Sequence, residues 1–447
     1  MSKVRTQSKV RMQTEISISN YRTVRRRRAV MKNLASKQVA SIEDRVIDTI
    51  LAMIRARREV PSGLRCDLRV HSSVAGAPVR LREALFSDFR DVTELKRRCG
   101  LVPDSFQNWE RLWRRNPALQ QVPFERPVGW LLEVEGRLVG YLGNICLCYR
   151  YGDRALTAVT GSGFAVEPAY RAVSLSLVAA FYRQKSVDLY LTTTAIEAVG
   201  KIARAFKSDP LPQPDYETVL FWVLQPYHFT QAVMKRLKLS PTLSHISGMF
   251  TSLLVGTDTI LRRRCPSRSS TGFAVSEIGV DQIGDDFQGL WMEKLKEMPR
   301  LLADRSPAAL RWHFESPNDA GTARVLCCYK DGDLLGYVAI FSDQDQTNGL
   351  RRSMIADMLA KQDDPAVLRT LLNAAYDHAK RVGSHVLEVL GFPNSIRQIC
   401  SQWNSYRRKY AACPFYYKAV DPTLHKTLSD GRAWYATPFD GDTTLMF

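Results

Sequence analysis

The chain has 447 residues, 45% of them hydrophobic, and a formal net charge of +18. That length predicts two to three domains with enough apolar content for their cores, and the absence of any run of about 18 apolar residues argues against a membrane-spanning helix. Nine scattered cysteines, an odd number, argue against a disulfide framework and point to a reducing, cytoplasmic setting. Cys146 and Cys148 alternate along a predicted strand, and Cys327 and Cys328 are adjacent in another. Neither pair has a metal-ligand spacing and the histidines do not cluster near them, so buried core thiols and no metal are expected.

Residues 1–40 hold eleven Lys or Arg against one acid, Glu15, with Arg25-Arg26-Arg27-Arg28 as the densest point. A disordered, solvated arm is the favoured reading; nucleic acid, an anionic membrane surface and an acidic protein partner are the alternatives. The N-terminal residues lack the apolar core of a secretory signal. An amphipathic helix is predicted over 41–60. Ser41 caps it, Ile42, Val46, Ile47, Ile50, Leu51 and Ile54 share one face, and Pro61 ends it.

A first domain is expected over 79–258. It opens with a strand at Val79–Ala84, by alternation, and a helix from Ser87 to Arg98 with Phe89, Val92 and Leu95 on one face. A Trp-rich helix follows, from Phe106 to Arg115. Then comes a hairpin, Gly136-Arg137-Leu138-Val139-Gly140-Tyr141, which recurs 196 residues later as Gly332-Asp333-Leu334-Leu335-Gly336-Tyr337. A repeat of that length suggests two copies of one domain. After the first copy a strand from Ala155 to Val166 leads through Glu167 and Pro168 to Arg171, small residues and a helix. Such a bend aims helix N-terminal amides at one spot and suits an anion such as a pyrophosphate.

Val166-Glu167-Pro168 followed by Arg171-Ala172-Val173-Ser174-Leu175-Ser176 resembles the acetyl-CoA loop of the GNAT superfamily of N-acetyltransferases, with serine at both family glycines. The neighbouring segments resemble it too: the hairpin from Gly129 to Asn144, the strand Val187–Thr194, the helix 195–208, and Val219–Leu224 as the next strand of that sheet. The resemblance implies an α/β (α+β) fold of two tandem acyl-CoA N-acyltransferase-like domains, each a mixed, mostly antiparallel sheet flanked by helices. It further implies that the backbone of Phe164, Ala165 and Val166 takes the pantetheine arm of acetyl-CoA or another acyl-CoA. Arg171 and the amides of Ala172, Val173, Ser174, Leu175, Ser176 and Leu177 would hold the pyrophosphate. Glu167 is the first candidate base, against a surface carboxylate at a strand end. Glu197 is a weaker candidate, against a solvated first-turn acid. Ile196 and Ala203 stand where the family often has Asn and a Tyr acid.

A basic linker is expected over 259–272 and a second domain over 273–447. The second domain is read as a strand at Phe273–Ile278, helices Asp285–Leu302 and Pro307–Phe314, the second hairpin, a strand at Ser353–Leu359 and a helix Ala366–Arg381. Asp363 and Asp364 would repel phosphate there, so this half is read as a degenerate copy without CoA that shapes an acceptor site. The tail Trp434–Asp442 is a docking strand or, through Asp440 and Asp442, a contributor to acceptor binding. The leading functional reading is an N-acyltransferase with one site in the first domain and a small-molecule or peptide amine as acceptor. An acidic acyl-carrier protein as donor, aminoacyl transfer and a non-catalytic scaffold are the alternatives.

Overall fold

The computed structural model describes residues 69–446 apart from the segments 75–76, 122–125, 195–196, 237–271, 316–322 and 410–413. The chain divides into two compact units, Met1–Asp67 and Leu68–Phe447. The basic arm, the helix expected over 41–60 and nearly all of the expected linker lie outside the described residues. No helix among the described residues is long and apolar enough to cross a membrane.

The first half runs β1 (Arg69–Val74), β2 (Ala77–Ala84), helix α1 (Phe89–Arg98), helix α2 (Phe106–Trp113), β3 (Gly129–Val134), β4 (Arg137–Tyr151) and β5 (Arg154–Val166). Helix α3 (Leu175–Tyr182), β6 (Leu189–Thr192), helix α4 (Glu197–Ala205), β7 (Asp209–Pro210) and β8 (Thr218–Val223) complete it. The second half runs β9 (Ala274–Ile278), helix α5 (Asp285–Leu295), β10 (Leu301–Ala303), helix α6 (Pro307–Phe314), β11 (Arg324–Lys330), β12 (Asp333–Gln344) and β13 (Arg351–Ala360). Helix α7 (Pro365–Arg381), β14 (Val386–Val389), β15 (Tyr406–Lys409) and β16 (Tyr416–Ala419) follow, and then the tail.

Both expected hairpins form. Glu135 and Gly136 have φ of 49° and 79°, and Asp331 and Gly332 have 53° and 92°. Two successive positive φ values make the tight turn whose twist matches paired strands, which is why Gly recurs at the second position. Helix α1 buries Val92 and Leu95 as expected. It ends with Gly100 N–H donating to Arg97 O (3.0 Å) and Leu101 N–H to Lys96 O (2.9 Å). This C-terminal cap turns Leu101 back toward the sheet.

Two sheets result, and each borrows from the other half. Sheet one has the order β1-β2-β3-β4-β5-β6-β16-β7, with β10 on β4; sheet two has the order β15-β8-β14-β13-β12-β11-β9. The expectation that Val219–Leu224 joins the first sheet is corrected: β8 pairs with β14 and β15 in the second. In exchange, β16 from the far end of the chain pairs with β6 in the first. A β-strand's edge is satisfied by whichever sheet offers a matching free edge and face, and sequence distance does not decide that. The expected helix Asp285–Leu302 is also corrected. It stops at Leu295, and Leu301–Ala303 forms β10, which pairs with Tyr149–Tyr151. The core is continuous across the halves. Buried Arg111 of α2 donates to the carbonyls of Trp312 (3.2 Å), Glu315 (3.0 Å) and Leu445 (2.8 Å). Cys146, Cys327 and Cys328 are buried thiols, as expected, and burial raises their pKa values.

Candidate functional site

The site begins where two strands part. β5 and β6 run parallel and pair only through Ala158↔Leu189, Val159↔Tyr190 and Thr160↔Leu191. β6 ends at Thr192, while β5 continues through Gly161 to Val166. On its other edge β5 stays paired to β4, but the register slips: Gly143 opposes Ser162, and Tyr141 opposes Ala165. β5 therefore carries one extra residue, a bulge at Gly163–Phe164, with Gly163 at φ +64°. Bulge and divergence together leave the β6-facing edge of Phe164, Ala165 and Val166 without a strand partner, at the carboxyl ends of two parallel strands. Ligands favour that place in open sheets.

A cavity of about 340 Å³ fills the opening. Its walls are mostly apolar: Leu101, Leu142, Phe164 and Phe181, with Val199 and Ile202 from α4. Ala203 of α4 also lines it, and Ile196 lies outside the described residues. Tyr182 packs parallel to Phe206 and bonds Ser208 Oγ (2.9 Å), so its hydroxyl is committed. Tyr190 donates to Gln184 O (3.1 Å), and burial pushes its pKa to about 12. Both are packing residues rather than free acids.

The loop after β5 departs from a simple row of free amides. Pro168–Val173 forms a 3₁₀ turn that runs into α3. Ser174 N–H donates to Arg171 O (3.1 Å) and Leu177 N–H to Ser174 O (3.2 Å). The hydroxyl of Ser174 donates to Arg171 O and that of Ser176 to Val173 O, each at 2.7 Å. Val173, Ser174 and Leu177 are buried, Leu175 and Ser176 half-buried, and Arg171 and Ala172 exposed. Arg171 thus presents its guanidinium to solvent beside the loop, whereas the two serines are turned inward.

Glu167 directly follows the end of β5, and its side chain is 13% exposed. Its Oε1 accepts from Arg98 Nε (2.7 Å) and from an Arg137 guanidinium nitrogen (2.6 Å), which binds one of its two oxygens to two cations. Glu197 opens α4, and its side chain lies outside the described residues. A second carboxylate reaches the same opening from the tail. Asp442 is buried and accepts from the Thr193 hydroxyl and from Thr194 Oγ1 (3.0 Å to Oδ2); Thr194 lines the cavity. Burial raises the Asp442 pKa above the usual carboxylate range, with the threonine bonds pulling it back down.

Asp440, weighed with Asp442 in the sequence, belongs elsewhere. It lies in a buried network with Arg305, Asp357 and Thr437 under sheet two. That network fills the second half's counterpart of the cleft. β13 pairs with β14 through Ile355↔Val389 and then runs on to Ala360. Beyond that last pair, Met358 O accepts from the Tyr435 hydroxyl (2.7 Å), and Asp357 accepts from Thr437 Oγ1 (2.8 Å). Asp364 caps α7 by accepting from Ala366 N–H (2.7 Å), and Asp363 takes Lys294 and Arg300 at 2.7 Å each. Side chains thus occupy the positions that a ligand would need.

Sequence reasoning passed over Lys96 of α1. It is 4% exposed and pairs with Asp104 beside the β5 bulge. The signal was available: Lys96 follows Val92 by four residues, so a charge stands next to the apolar face of α1.

No protein-family model matches the chain and no curated protein matches it. Among solved structures it is similar to a GCN5-related N-acetyltransferase from Anabaena variabilis (9% identity, 77% of this chain and 73% of that one, TM-score 0.48). It is also similar to one from Kribbella flavida (11%, 78% and 73%, 0.48) and to Saccharomyces cerevisiae N-myristoyltransferase with bound myristoyl-CoA (14%, 81% and 83%, 0.49).

Proposed function

We propose that the chain is an N-acyltransferase that draws on acetyl-CoA or a longer acyl-CoA and acylates an amine at a single site in the first half. The observation that carries this is the parting of β5 from β6 over an apolar cavity, with a bulge that leaves one backbone edge of β5 unpaired. Such an edge suits the amide groups of a pantetheine arm, the cavity walls suit its methylenes or an acyl chain, and exposed Arg171 suits a phosphate. The second half offers no comparable opening at the counterpart position, because Tyr435 and Thr437 fill it.

In the reaction the amine nitrogen attacks the thioester carbonyl, the C–N bond forms, and the C–S bond breaks. The proton lost by the amine ends on the thiol that leaves. The chain must orient the two reactants, receive or relay a proton and stabilise the oxyanion. Glu167 and Asp442 are the candidate carboxylates. Glu167 has Oε2 left for an ammonium or a water, and Asp442 reaches the cavity through Thr194. Glu197 is kept as a third candidate.

An acidic acyl-carrier protein is the second reading for the donor. The inward hydroxyls of Ser174 and Ser176 favour it, since they leave a pyrophosphate fewer partners than the loop suggests. Calorimetric titration with acetyl-CoA tests the first reading. Micromolar binding is expected, weakened about tenfold or more by Arg171→Glu at low salt. No binding of acetyl-CoA or of a longer acyl-CoA would turn the assignment to carrier-bound donors or to a non-catalytic scaffold.

A further inference from the structure

Two polar heads are buried together under α1, on the far side of β5 from α3, and the acyl-transfer reading as stated uses neither. Lys96 extends from α1 to the bulge. A Cβ placed on Gly163 would lie 2.7 Å from its Nζ, so the ammonium occupies the space that the glycine leaves empty. Gly143, on the neighbouring strand, does the same for Tyr141, whose hydroxyl would lie 2.6 Å from a Cβ there. Tyr141 is fully buried and its hydroxyl has no hydrogen-bond partner among the described residues. The Lys96 ammonium lies 5.6 Å from the Tyr141 ring centroid, and Asp104 is its one hydrogen-bond partner among the described residues. An ammonium has three donors, so two are unspent among the described residues. Buried polar groups are normally satisfied; a buried cation and hydroxyl with spare capacity at the lip of a cavity mark a place where an acceptor oxygen binds. Gly163 and Leu101, which lies just past the end of α1, both line that cavity.

We propose that Lys96, with the Tyr141 hydroxyl beside it, faces the thioester carbonyl oxygen of the bound donor and stabilises the oxyanion that forms when the amine attacks. The carbonyl carbon accepts the amine's electron pair and the C=O pair moves onto oxygen, against the ammonium. The pair returns as the C–S bond breaks, so Lys96 gains and loses no atom. Asp104 positions the ammonium and is itself fixed by Asn108 Nδ2 (3.1 Å). The inference rests on the acyl-transfer reading, and it supplies an electrostatic group where α4 has no family acid.

The test is carbon-13 NMR of [1-¹³C]acetyl-CoA, and of the [1-¹³C]octanoyl ester, bound to the full chain. In the wild type the bound carbonyl resonance is expected downfield of the free donor, because a cation polarises C=O. In Lys96→Met/Asp104→Asn, which leaves no buried charge unpaired, it returns toward the free value while donor affinity changes less than threefold. Lys96→Gln, which removes the charge but keeps a donor for Asp104, gives the same return. With any amine that supports turnover, kcat falls about 100-fold in these variants with KM for the donor preserved, the usual effect of losing one oxyanion donor. A bound carbonyl with no downfield shift in the wild type overturns the proposal. So does a shift that persists in a folded variant; if the double variant does not fold, Lys96→Gln decides. A wild type that binds neither ester shows instead that the acyl-CoA reading itself is wrong.

Discussion

The two halves part their strands in the same way and then treat the gap differently. In the first, β5 leaves β6 after Thr160 and the space holds a cavity with apolar walls. In the second, β13 leaves β14 after Ile355 and the space holds the chain's own Tyr435, Thr437 and Asp440, tied to Arg305 and Asp357. The topology supplies an opening in both, and the local filling decides which can take a ligand. The filling has a second effect, because the same tail continues to Asp442 at the lip of the open site. Occupation of one gap thereby helps to build the other.

The largest expected effect comes from cutting the halves apart. Residues 1–258 expressed alone should show no cooperative thermal transition, and co-expression with residues 259–447 should restore it. β8 would otherwise lack its sheet and β6 would lose its β16 neighbour, leaving two open edges. A first half that melts cooperatively by itself would break the idea that the two gaps are built jointly.

Next in size is Arg305→Met. It strands Asp357 and Asp440 in the filled gap, and breaking a buried ion pair from one side costs about 3–5 kcal/mol. Urea midpoints measure it, and a loss below 1 kcal/mol would show that the filling is loose.

The filled gap should also carry a pH signature. Burial raises the Asp440 carboxyl to about 6, against the pull of Arg305. Its folded-state value lies above its unfolded one, so the folded protein holds this proton more tightly. The contribution is full below about pH 4 and is lost as pH rises through about 6, a span worth roughly 3 kcal/mol. Asp440→Asn should flatten that part of the stability profile between pH 4 and 7. A slope unchanged in the variant would assign it to another group.

The smallest effect is Tyr435→Phe, which removes one buried bond to Met358 O and should cost about 1–2 kcal/mol. Donor binding at the open site should not change, since only the filled gap is touched. A loss of binding would sharpen the comparison by showing that the tail transmits the change to Asp442.

Much of the fold could be read along the chain, for reasons that are local. The turns at Gly136 and Gly332 need positive φ, and the apolar spacing of Phe89, Val92 and Leu95 repeats with the helix. The strand, bend and helix from Ala155 to Leu177 are visible in alternation, Pro168 and small residues. For the candidate site, the strand end at Phe164–Val166 and the exposure of Arg171 follow from the local sequence. The inward turn of Ser174 and Ser176 does not, because a hydroxyl chooses between a ligand and a neighbouring carbonyl by the shape of the turn.

The sequence by itself determined most of the elements and their turns, since each depends on residues within a few positions of one another. Tertiary structure alone decided that β8 and β16 change places, that the tail closes the second gap, and that Lys96 meets Gly163 across 67 positions. The physical reason is common to all three. A free strand edge, an empty space beside a strand and a buried charge are each satisfied by whatever the whole fold brings within reach, and short-range pattern carries no record of that partner.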